Sequence, residues 1–175
     1  MPTTRRFHVF DGVDGTVTAI IISITRQRLE LWRDSSCIAR YSISTALNGP
    51  GEQKNSGCTP RGKHFIRAKI GAEKPINTVF IGRRPTGEVY SSALAKRYPA
   101  RDWILSRIIW LCGCEIGRNR LSSVDTMQRY IYIHGTPDSE PMGLPLSHGC
   151  IRMRNTDIVA LFEQVSVGTR VFIEE

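Results

Sequence analysis

Three of the most reactive side chains in the chain lie within 17 positions of one another, at His134, His148 and Cys150. A cysteine sulfur is nucleophilic as the thiolate, and an ordinary thiol with a pKa near about 8.5 is mostly protonated at neutral pH. A histidine within hydrogen-bond reach can take the thiol proton and later give it to a leaving amine. The cluster therefore predicts a Cys–His acyl-transfer site.

The residues around this cluster predict how it would be positioned. His134 ends an apolar run at 131–133, which predicts a strand that holds the imidazole on a rigid element. Gly149 precedes the nucleophile and has no side chain, so a substrate or another backbone segment can come close to Cys150. The backbone N–H groups of Gly149 and Cys150 are then candidates for an oxyanion hole.

A zinc site is the competing interpretation of the same residues. His134, His148 and Cys150 could bind zinc together with Cys112 and Cys114. However, that cysteine pair has one intervening residue, where structural zinc sites typically have two to four, and the sequence has no HExxH motif. We therefore predict no metal and no other cofactor.

Length and composition are those of one globular domain. The chain has 175 residues, of which 41% are hydrophobic. A domain of this size buries about 70% of the surface of its unfolded chain, so it needs neither a metal nor disulfides to fold. No apolar run approaches the roughly 20 residues of a membrane helix, so we expect no membrane contact.

The cysteines and the first residues bear on location. Five cysteines are an odd number without disulfide-framework spacing, which favours a reducing compartment. The basic start of the chain would suit a signal peptide, but Asp11 and Asp14 interrupt the apolar region that such a peptide needs. The expected location is the cytoplasm, with the periplasm as the alternative if a signal peptide has been removed.

Positive charge is concentrated in the middle of the chain, where residues 61–129 carry fourteen basic and five acidic groups. A nucleic-acid surface would show dense basic runs interleaved with stacking aromatic residues. The basic residues here occur singly or in pairs such as Arg83-Arg84. We expect no nucleic-acid partner, and instead a basic face that attracts acidic small substrates.

The hydrophobic patterning predicts a mainly β fold. Short β-branched and aromatic-rich segments predict strands, at 17–24, 28–33, 37–45, 64–70, 77–82, 103–111, 128–134 and 169–173. A short helix is expected near 91–97 and a second near 155–165, with Asn155 as its N-cap. Many short strands with few helices favour a sandwich or barrel in a single domain.

Two motifs carry a resemblance to a known family. Ile-His-Gly-Thr at 133–136 and Ser-His-Gly-Cys-Ile-Arg-Met at 147–153 resemble the signature of the YkuD family, the L,D-transpeptidase catalytic domain of bacterial cell-wall enzymes. Thr-Pro-Arg-Gly at 59–62 and Asp-Trp-Ile-Leu at 102–105 are similar to further family elements. The resemblance covers residues 17–173 and implies a β-sandwich in a single catalytic domain, 1–175.

The resemblance also implies a reaction. Cys150 would attack the carbonyl of the L-centre of diaminopimelate in a murein tetrapeptide, releasing the terminal D-alanine and leaving a thioester. His134 would activate Cys150 and later protonate the leaving amine, with the backbone carbonyl of Gly135 as its orienter. Carbapenem-type inhibitors would acylate Cys150.

The same resemblance implies functions for the loop before the strand. His148 and Gly149 would form the oxyanion loop together with the nucleophile, and Ser147 would shape it. Arg152 would bind a substrate carboxylate or support the loop.

The acceptor of the acyl group separates two activities. A cytoplasmic enzyme would meet muropeptides rather than polymeric wall, so the expected activity is an L,D-carboxypeptidase of muropeptide recycling, which passes the acyl group to water. An L,D-transpeptidase, which passes it to an amine, is the alternative. A non-catalytic basic binding module is the third interpretation.

Overall fold

The computed structural model describes residues 17–175. Its ten strands are joined in one mixed sheet. In chain order they are β1 (Thr18–Ser23), β2 (Arg28–Arg33), β3 (Ser36–Ser42), β4 (Gly62–Ile70), β5 (Thr78–Ile81), β6 (Arg84–Val89), β7 (Ile104–Gly113), β8 (Tyr132–Gly135), β9 (Ile151–Met153) and β10 (Arg170–Glu174).

Two α-helices accompany the sheet, α1 (Ser92–Arg97) and α2 (Asn155–Gln164), together with a single 3₁₀ turn at Ser122–Val124. The predicted mainly β class and both predicted helices are thereby confirmed. Across residues 17–175 no helix has the length and apolar character that spanning a bilayer requires.

The strand order is β3-β2-β1-β10-β4-β7-β5-β6, and β8 branches from β7 to pair with β9. The first three strands form the antiparallel meander that their alternating patterns indicate, with Ile20 opposite Leu31 and Ile22 opposite Leu29. These four side chains are fully buried. Strand β10 then pairs in parallel with β1 and antiparallel with β4, which ties the last strand of the chain to the first.

Strand β7 is the hub that positions the functional region. It pairs with β4 through Ile108–Gly113, with β5 through Ile104 and Leu105, and with β8 between Leu105 and Trp110. Eight of its ten residues are buried, all except Ile104 and Trp110, and Leu105, Ile108 and Leu111 are fully buried. The short strand β8 is therefore fixed against the longest of the described strands.

Two segments depart from the predicted strands. The strand predicted at 128–134 begins only at Tyr132, because residues 127–130 form a turn in which the Asp125 carbonyl accepts from the N–H of Arg129 at 2.9 Å. The strand predicted at 37–45 ends at Ser42, because Ser44 exchanges two backbone hydrogen bonds with Arg152 instead. These last residues thereby hold β9 from its outer side.

Asn155 does not cap helix α2. It is the first helical residue, the N-cap position belongs to Arg154, and no side chain caps the helix. The Asn155 side chain is 1% exposed; its Nδ2 donates to the carbonyl of Thr136 at 2.8 Å, and its Oδ1 accepts from the Ser106 hydroxyl at 2.6 Å. It therefore braces the end of β8 against a bulge in β7, where Ser106 has a φ of 68°.

We expect Asn155→Ala to lower the free energy of unfolding by about 1–3 kcal/mol, because the buried Ser106 hydroxyl loses its acceptor and the Thr136 carbonyl loses the donor that Asn155 supplies. Gln164→Ala, at an exposed position of the same helix, is the matched control and should change stability by less than about 0.5 kcal/mol. Denaturant unfolding measures both variants. Equal stabilities would contradict the bracing function of Asn155.

Candidate active site

Two backbone groups hold the sulfur of Cys150. The N–H of Tyr132 donates to Sγ at 3.3 Å, and the thiol donates to the carbonyl oxygen of Tyr130 at 3.4 Å. Cys150 directly precedes β9, which runs parallel to β8 with Ile151 opposite Ile133. The parallel pairing therefore places the nucleophile candidate beside the start of β8.

The carbonyl that accepts the hydrogen bond of the Cys150 thiol belongs to a residue in an unusual conformation. Tyr130 has a φ of 56°, in the left-handed region that bulky side chains rarely adopt. The preceding turn is fixed by Asp125, whose Oδ1 accepts from the N–H of Gln128 at 2.9 Å. Residues held in this region against their preference are concentrated at functional sites. Here the turn directs a backbone oxygen at the reactive sulfur.

His134 is buried on β8, with 2% of its surface exposed. Its Nδ1 lies 2.7 Å from the carbonyl oxygen of Gly135. Because a carbonyl oxygen only accepts, Nδ1 carries the hydrogen and Nε2 holds the free lone pair of a base. The register places His134 directly opposite Arg152 of β9, and Cys150 lies in the bend that immediately precedes that strand. Paired residues of neighbouring strands lie on the same face of a sheet, so His134 and Arg152 face the same side.

The ionisation of the pair is set by burial. Burial raises the pKa of the Cys150 thiol to about 11, although the N–H of Tyr132 opposes the shift. Burial also lowers the pKa of His134, and the hydrogen bond to Gly135 offsets only part of that shift. At neutral pH the free protein therefore holds a neutral thiol and a neutral imidazole.

The loop before the nucleophile is fixed from within. The Ser147 hydroxyl donates to the carbonyl of Cys150 at 2.5 Å and accepts from the N–H of Gly149 at 3.2 Å. The Gly149 carbonyl in turn accepts from the buried hydroxyl of Thr59 at 2.9 Å. Of the two amides predicted for an oxyanion hole, that of Gly149 is thus directed at Ser147 in this state.

Gly149 itself is required by its conformation. Its φ of 134° lies in the region that favours glycine, and a Cβ there would lie 3.3 Å from both the Cys58 carbonyl oxygen and the Ile131 side chain. The segment at 58–59 thus lies directly against the loop that carries the nucleophile.

His148 and Arg152 meet at one carboxylate, that of Asp102. The Nη2 of Arg152 lies 2.9 Å from Asp102 Oδ1, and the Nδ1 of His148 lies 3.2 Å from Oδ2. Burial opposes ionisation of Asp102, but the charge of Arg152 and the hydrogen bond from His148 outweigh it and hold the pKa of Asp102 below its ordinary value. Since the Arg152 guanidinium also donates to the carbonyl of Leu146, this arrangement favours loop support over substrate binding for Arg152.

Sequence reasoning did not single out Arg129, which lies directly before Tyr130. Its guanidinium donates to the backbone carbonyls of Gly51, Glu52 and Cys58, at 3.2, 2.9 and 2.7 Å. Burial lowers the pKa of Arg129. Its positive charge in turn acts to lower the pKa of the nearby Cys150 thiol, against the larger effect of burial. No local pattern could have identified Arg129, because its partners are carbonyls that every sequence has.

Asp102 and Thr59 were also missed as site residues, although both lie in segments that carry the family resemblance. Their contacts to His148 and Gly149 span 46 and 90 positions of the chain, so spacing alone gives no signal of them. Within residues 17–175 no three His, Cys, Asp or Glu side chains are arranged to hold a metal ion. The zinc interpretation therefore has no ligand cluster in this part of the chain.

A family model matches nearly the whole of the described chain. Residues 17–173 match the family described as YkuD, the L,D-transpeptidase catalytic domain. The probable L,D-transpeptidase YbiS of Escherichia coli K12 is 58% identical over 48 residues, which are 27% of this chain and 16% of that protein. The putative L,D-transpeptidase YqjB of Bacillus subtilis is 51% identical over 43 residues, 25% of this chain and 24% of that protein. The matched stretches span less than a quarter of either relative.

Solved structures share the fold. An L,D-transpeptidase from Mycobacterium smegmatis aligns with a TM-score of 0.55 at 18% identity, covering 92% of this chain and 60% of that one. L,D-transpeptidase 3 from Mycobacterium tuberculosis, in complex with a faropenem-derived adduct, aligns with a TM-score of 0.55 at 16% identity, covering 92% and 61%. An L,D-transpeptidase in complex with imipenem gives a TM-score of 0.55 at 20% identity, covering 91% and 59%.

The raised pKa of Cys150 predicts how its alkylation depends on pH. The thiolate fraction of a group with a pKa of about 11 rises about tenfold per pH unit through the neutral range. We expect the rate of Cys150 carbamidomethylation by iodoacetamide, followed by peptide mass spectrometry, to keep rising from pH 7 to pH 10. A small peptide thiol treated in parallel should level off above about pH 8.5.

A plateau in the Cys150 rate near neutral pH would show a preformed thiolate and contradict this prediction. The Cys150→Ser variant identifies the background labelling of the remaining free cysteines.

Proposed function

Because the chain belongs to the YkuD family, the L,D-transpeptidase catalytic domain, we propose that it is an acyl-transfer enzyme of peptidoglycan metabolism with Cys150 as its nucleophile. Its substrate is a murein tetrapeptide, and the bond that breaks joins diaminopimelate to the terminal D-alanine. The observation that carries the proposal is the pair of backbone contacts that hold the Cys150 sulfur beside the strand bearing His134.

The first step forms a tetrahedral intermediate, and the thioester follows from it in the second step. Nε2 of His134 takes the thiol proton as Sγ attacks the carbonyl carbon, and the carbonyl oxygen becomes an oxyanion. The hydrogen bond from Nδ1 to Gly135 supports this proton transfer, because it orients the ring and stabilises the imidazolium that forms. Because the resting thiol is neutral, we propose that His134 removes the proton at the same time as the sulfur attacks the carbonyl carbon. A thiolate–imidazolium ion pair is not formed beforehand.

The second step releases the amine. The oxyanion collapses, the carbon–nitrogen bond breaks, and His134 gives its proton to the departing nitrogen of D-alanine. The acyl group is then on sulfur, and His134 is again neutral. An acceptor that attacks the thioester gives its proton to His134, and the thiol is restored when the sulfur leaves with that proton.

Water is the acceptor that we propose, which makes the enzyme an L,D-carboxypeptidase that trims tetrapeptides to tripeptides. His148 is 77% exposed in its side chain, so the loop that carries the nucleophile borders solvent and water can reach a thioester there. This proposal goes with a cytoplasmic location and soluble muropeptides as substrates. The alternative is transfer to an amine, which the names of the relatives, all L,D-transpeptidases, favour.

Product analysis tests the function and separates the two acceptors. The protein is incubated with a disaccharide tetrapeptide, alone and with an added D-amino acid, and the products are resolved by mass spectrometry. We expect tripeptide and free D-alanine under both conditions. Exchange of the D-amino acid or cross-linked dimers would establish the transpeptidase instead.

Variants assign the chemistry to its residues. Cys150→Ala removes the nucleophile and should abolish turnover, whereas Cys114→Ala, at an exposed cysteine directly after β7, should leave it unchanged. His134→Gln should lower kcat by about 10²- to 10⁴-fold. No turnover by the unaltered protein, together with intact ligand binding by Cys150→Ala, would establish a binding module in place of an enzyme.

A further inference from the structure

An arginine without an acidic partner lies next to the nucleophile. Arg83 is at the tip of the β5–β6 hairpin, where Ile81 pairs with Arg84 and the two connecting residues, Gly82 and Arg83, have φ values of 55° and 65°. Positive φ at both central residues is typical of the tight hairpin turn in which glycine and asparagine are favoured. An arginine in that position is unusual, and the turn directs its side chain back over the sheet.

The guanidinium of Arg83 lies on an aromatic seat, which consists of Trp110, Tyr130 and Tyr132. Its central carbon lies 4.5 Å from the ring centroid of Trp110 and 5.0 Å from that of Tyr130. Its Nη1 donates to the hydroxyl of Tyr132 at 3.0 Å. Trp110 in turn contacts both tyrosine rings, at centroid distances of 6.4 and 6.2 Å. The guanidinium is thus positioned by stacking and by one hydrogen bond.

The seat and the nucleophile share their residues. Tyr132 binds Arg83 through its hydroxyl and the sulfur of Cys150 through its N–H, while Tyr130 contacts Arg83 through its ring and Cys150 through its carbonyl. Cys150 also packs against the same small cluster as Tyr132 and Trp110. Tyr130 and Tyr132 therefore each contact both the Arg83 guanidinium and the sulfur of Cys150.

The charge of Arg83 is not neutralised within the described part of the chain. Several arginines near the surface have carboxylate partners, as Arg61 has Glu52 and Arg101 has Glu88. For Arg83, across residues 17–175, the groups that act on its pKa are the tyrosines 132 and 130 and no carboxylate. Tyr130 is 55% exposed, so the seat opens to solvent. A planar guanidinium held flat on aromatic rings presents its remaining N–H donors to a planar anion.

We propose that Arg83 binds a carboxylate of the peptide substrate and so determines which peptides Cys150 acylates. This inference rests on the function proposed above, and it deepens it by naming a specificity-determining residue. In a tetrapeptide stem two carboxylates lie close to the scissile bond, that of the terminal D-alanine and that of the diaminopimelate side chain. The chemistry recognised is the same, and the experiment separates the two sources.

Binding and turnover of the tetrapeptide are measured for Arg83→Met, with Arg84→Met as the matched control. Arg84 is the next residue and is exposed, so its variant removes the same charge without touching the aromatic seat. Loss of a charged hydrogen bond should lower kcat/KM about 10- to 100-fold for Arg83→Met, mainly through KM. Arg84→Met should stay within about twofold of the unaltered protein. Arg83→Lys keeps the charge without the planar fork and should give an intermediate value.

Two substrate analogues identify the carboxylate. One carries D-alaninamide at its end, and the other carries an amidated diaminopimelate side chain. The Arg83→Met defect should vanish with whichever analogue lacks the bound carboxylate. A defect of equal size with both analogues, or no defect with the tetrapeptide, would overturn the proposal.

Failure of the proposed function gives a different result. Binding is measured by calorimetry in the Cys150→Ala background, where turnover plays no part. Binding that Arg83→Met weakens supports the carboxylate site even if the unaltered protein releases no D-alanine. No binding and no turnover of the tetrapeptide would overturn both the function and the site. Thermal unfolding of each variant, followed by circular dichroism, shows that a lost signal does not come from lost structure.

Discussion

The parallel pairing of β8 with β9 is the constraint on which the functional region depends. Strand β8 has only four residues, all buried, and it is held on one side by the long strand β7 and on the other by β9. This pairing sets Cys150 beside Tyr132 and His134 opposite Arg152. A shift of one residue in either strand would turn the reactive side chains into the core, so the strong apolar contacts of Ile133 and Ile151 also fix the register of the chemistry.

Around this pair of strands, most of the polar groups hold backbone segments in place through hydrogen bonds and do not form ion pairs. Asn155 and Ser106 brace the end of β8 from the helix side, while Ser44 holds the outer edge of β9 through its backbone. The Arg129 guanidinium donates hydrogen bonds to carbonyl groups of the loop at 51–58. Thr59, which follows this loop, donates its hydroxyl hydrogen bond to the carbonyl of Gly149. The nucleophile thus rests on segments that are distant in the chain, which explains why so few of its supports carry a local signal.

The sequence predicted the parts of the site that depend on residue type and short spacing. His134 and Cys150 stand out because few residues can do their chemistry, and the apolar periodicities at 17–24 and 155–165 indicate a strand and a helix without help from the rest of the fold. The turn at 127–130 was not predicted, because the pattern of Gln-Arg-Tyr is typical of a strand. Asp125 stabilises the turn through both its side-chain carboxylate and its backbone carbonyl.

The partners of Asp102, His148 and Arg152, could not be predicted from local patterns either, because they lie 46 and 50 positions away in the chain. Asn155 was assigned to the wrong task for the same reason. Its type suits a helix cap, but the tertiary structure offered it two buried partners on β7 and in the segment after β8. Residue types therefore indicated the acyl-transfer chemistry of Cys150 and His134. The side chains that hold these residues in place depend on long-range contacts, which the sequence does not reveal.

The hydrogen bond from the Cys150 thiol to the carbonyl of Tyr130 exists only while the sulfur carries its hydrogen. Once the sulfur is esterified it has nothing to donate, and the left-handed turn at Tyr130 loses the contact that its carbonyl makes with the nucleophile. The Tyr132 N–H, by contrast, still faces the sulfur. Acylation of Cys150 therefore frees one backbone carbonyl on one side of the nucleophile, in the residue whose ring faces solvent, so the two states of the enzyme differ at Tyr130.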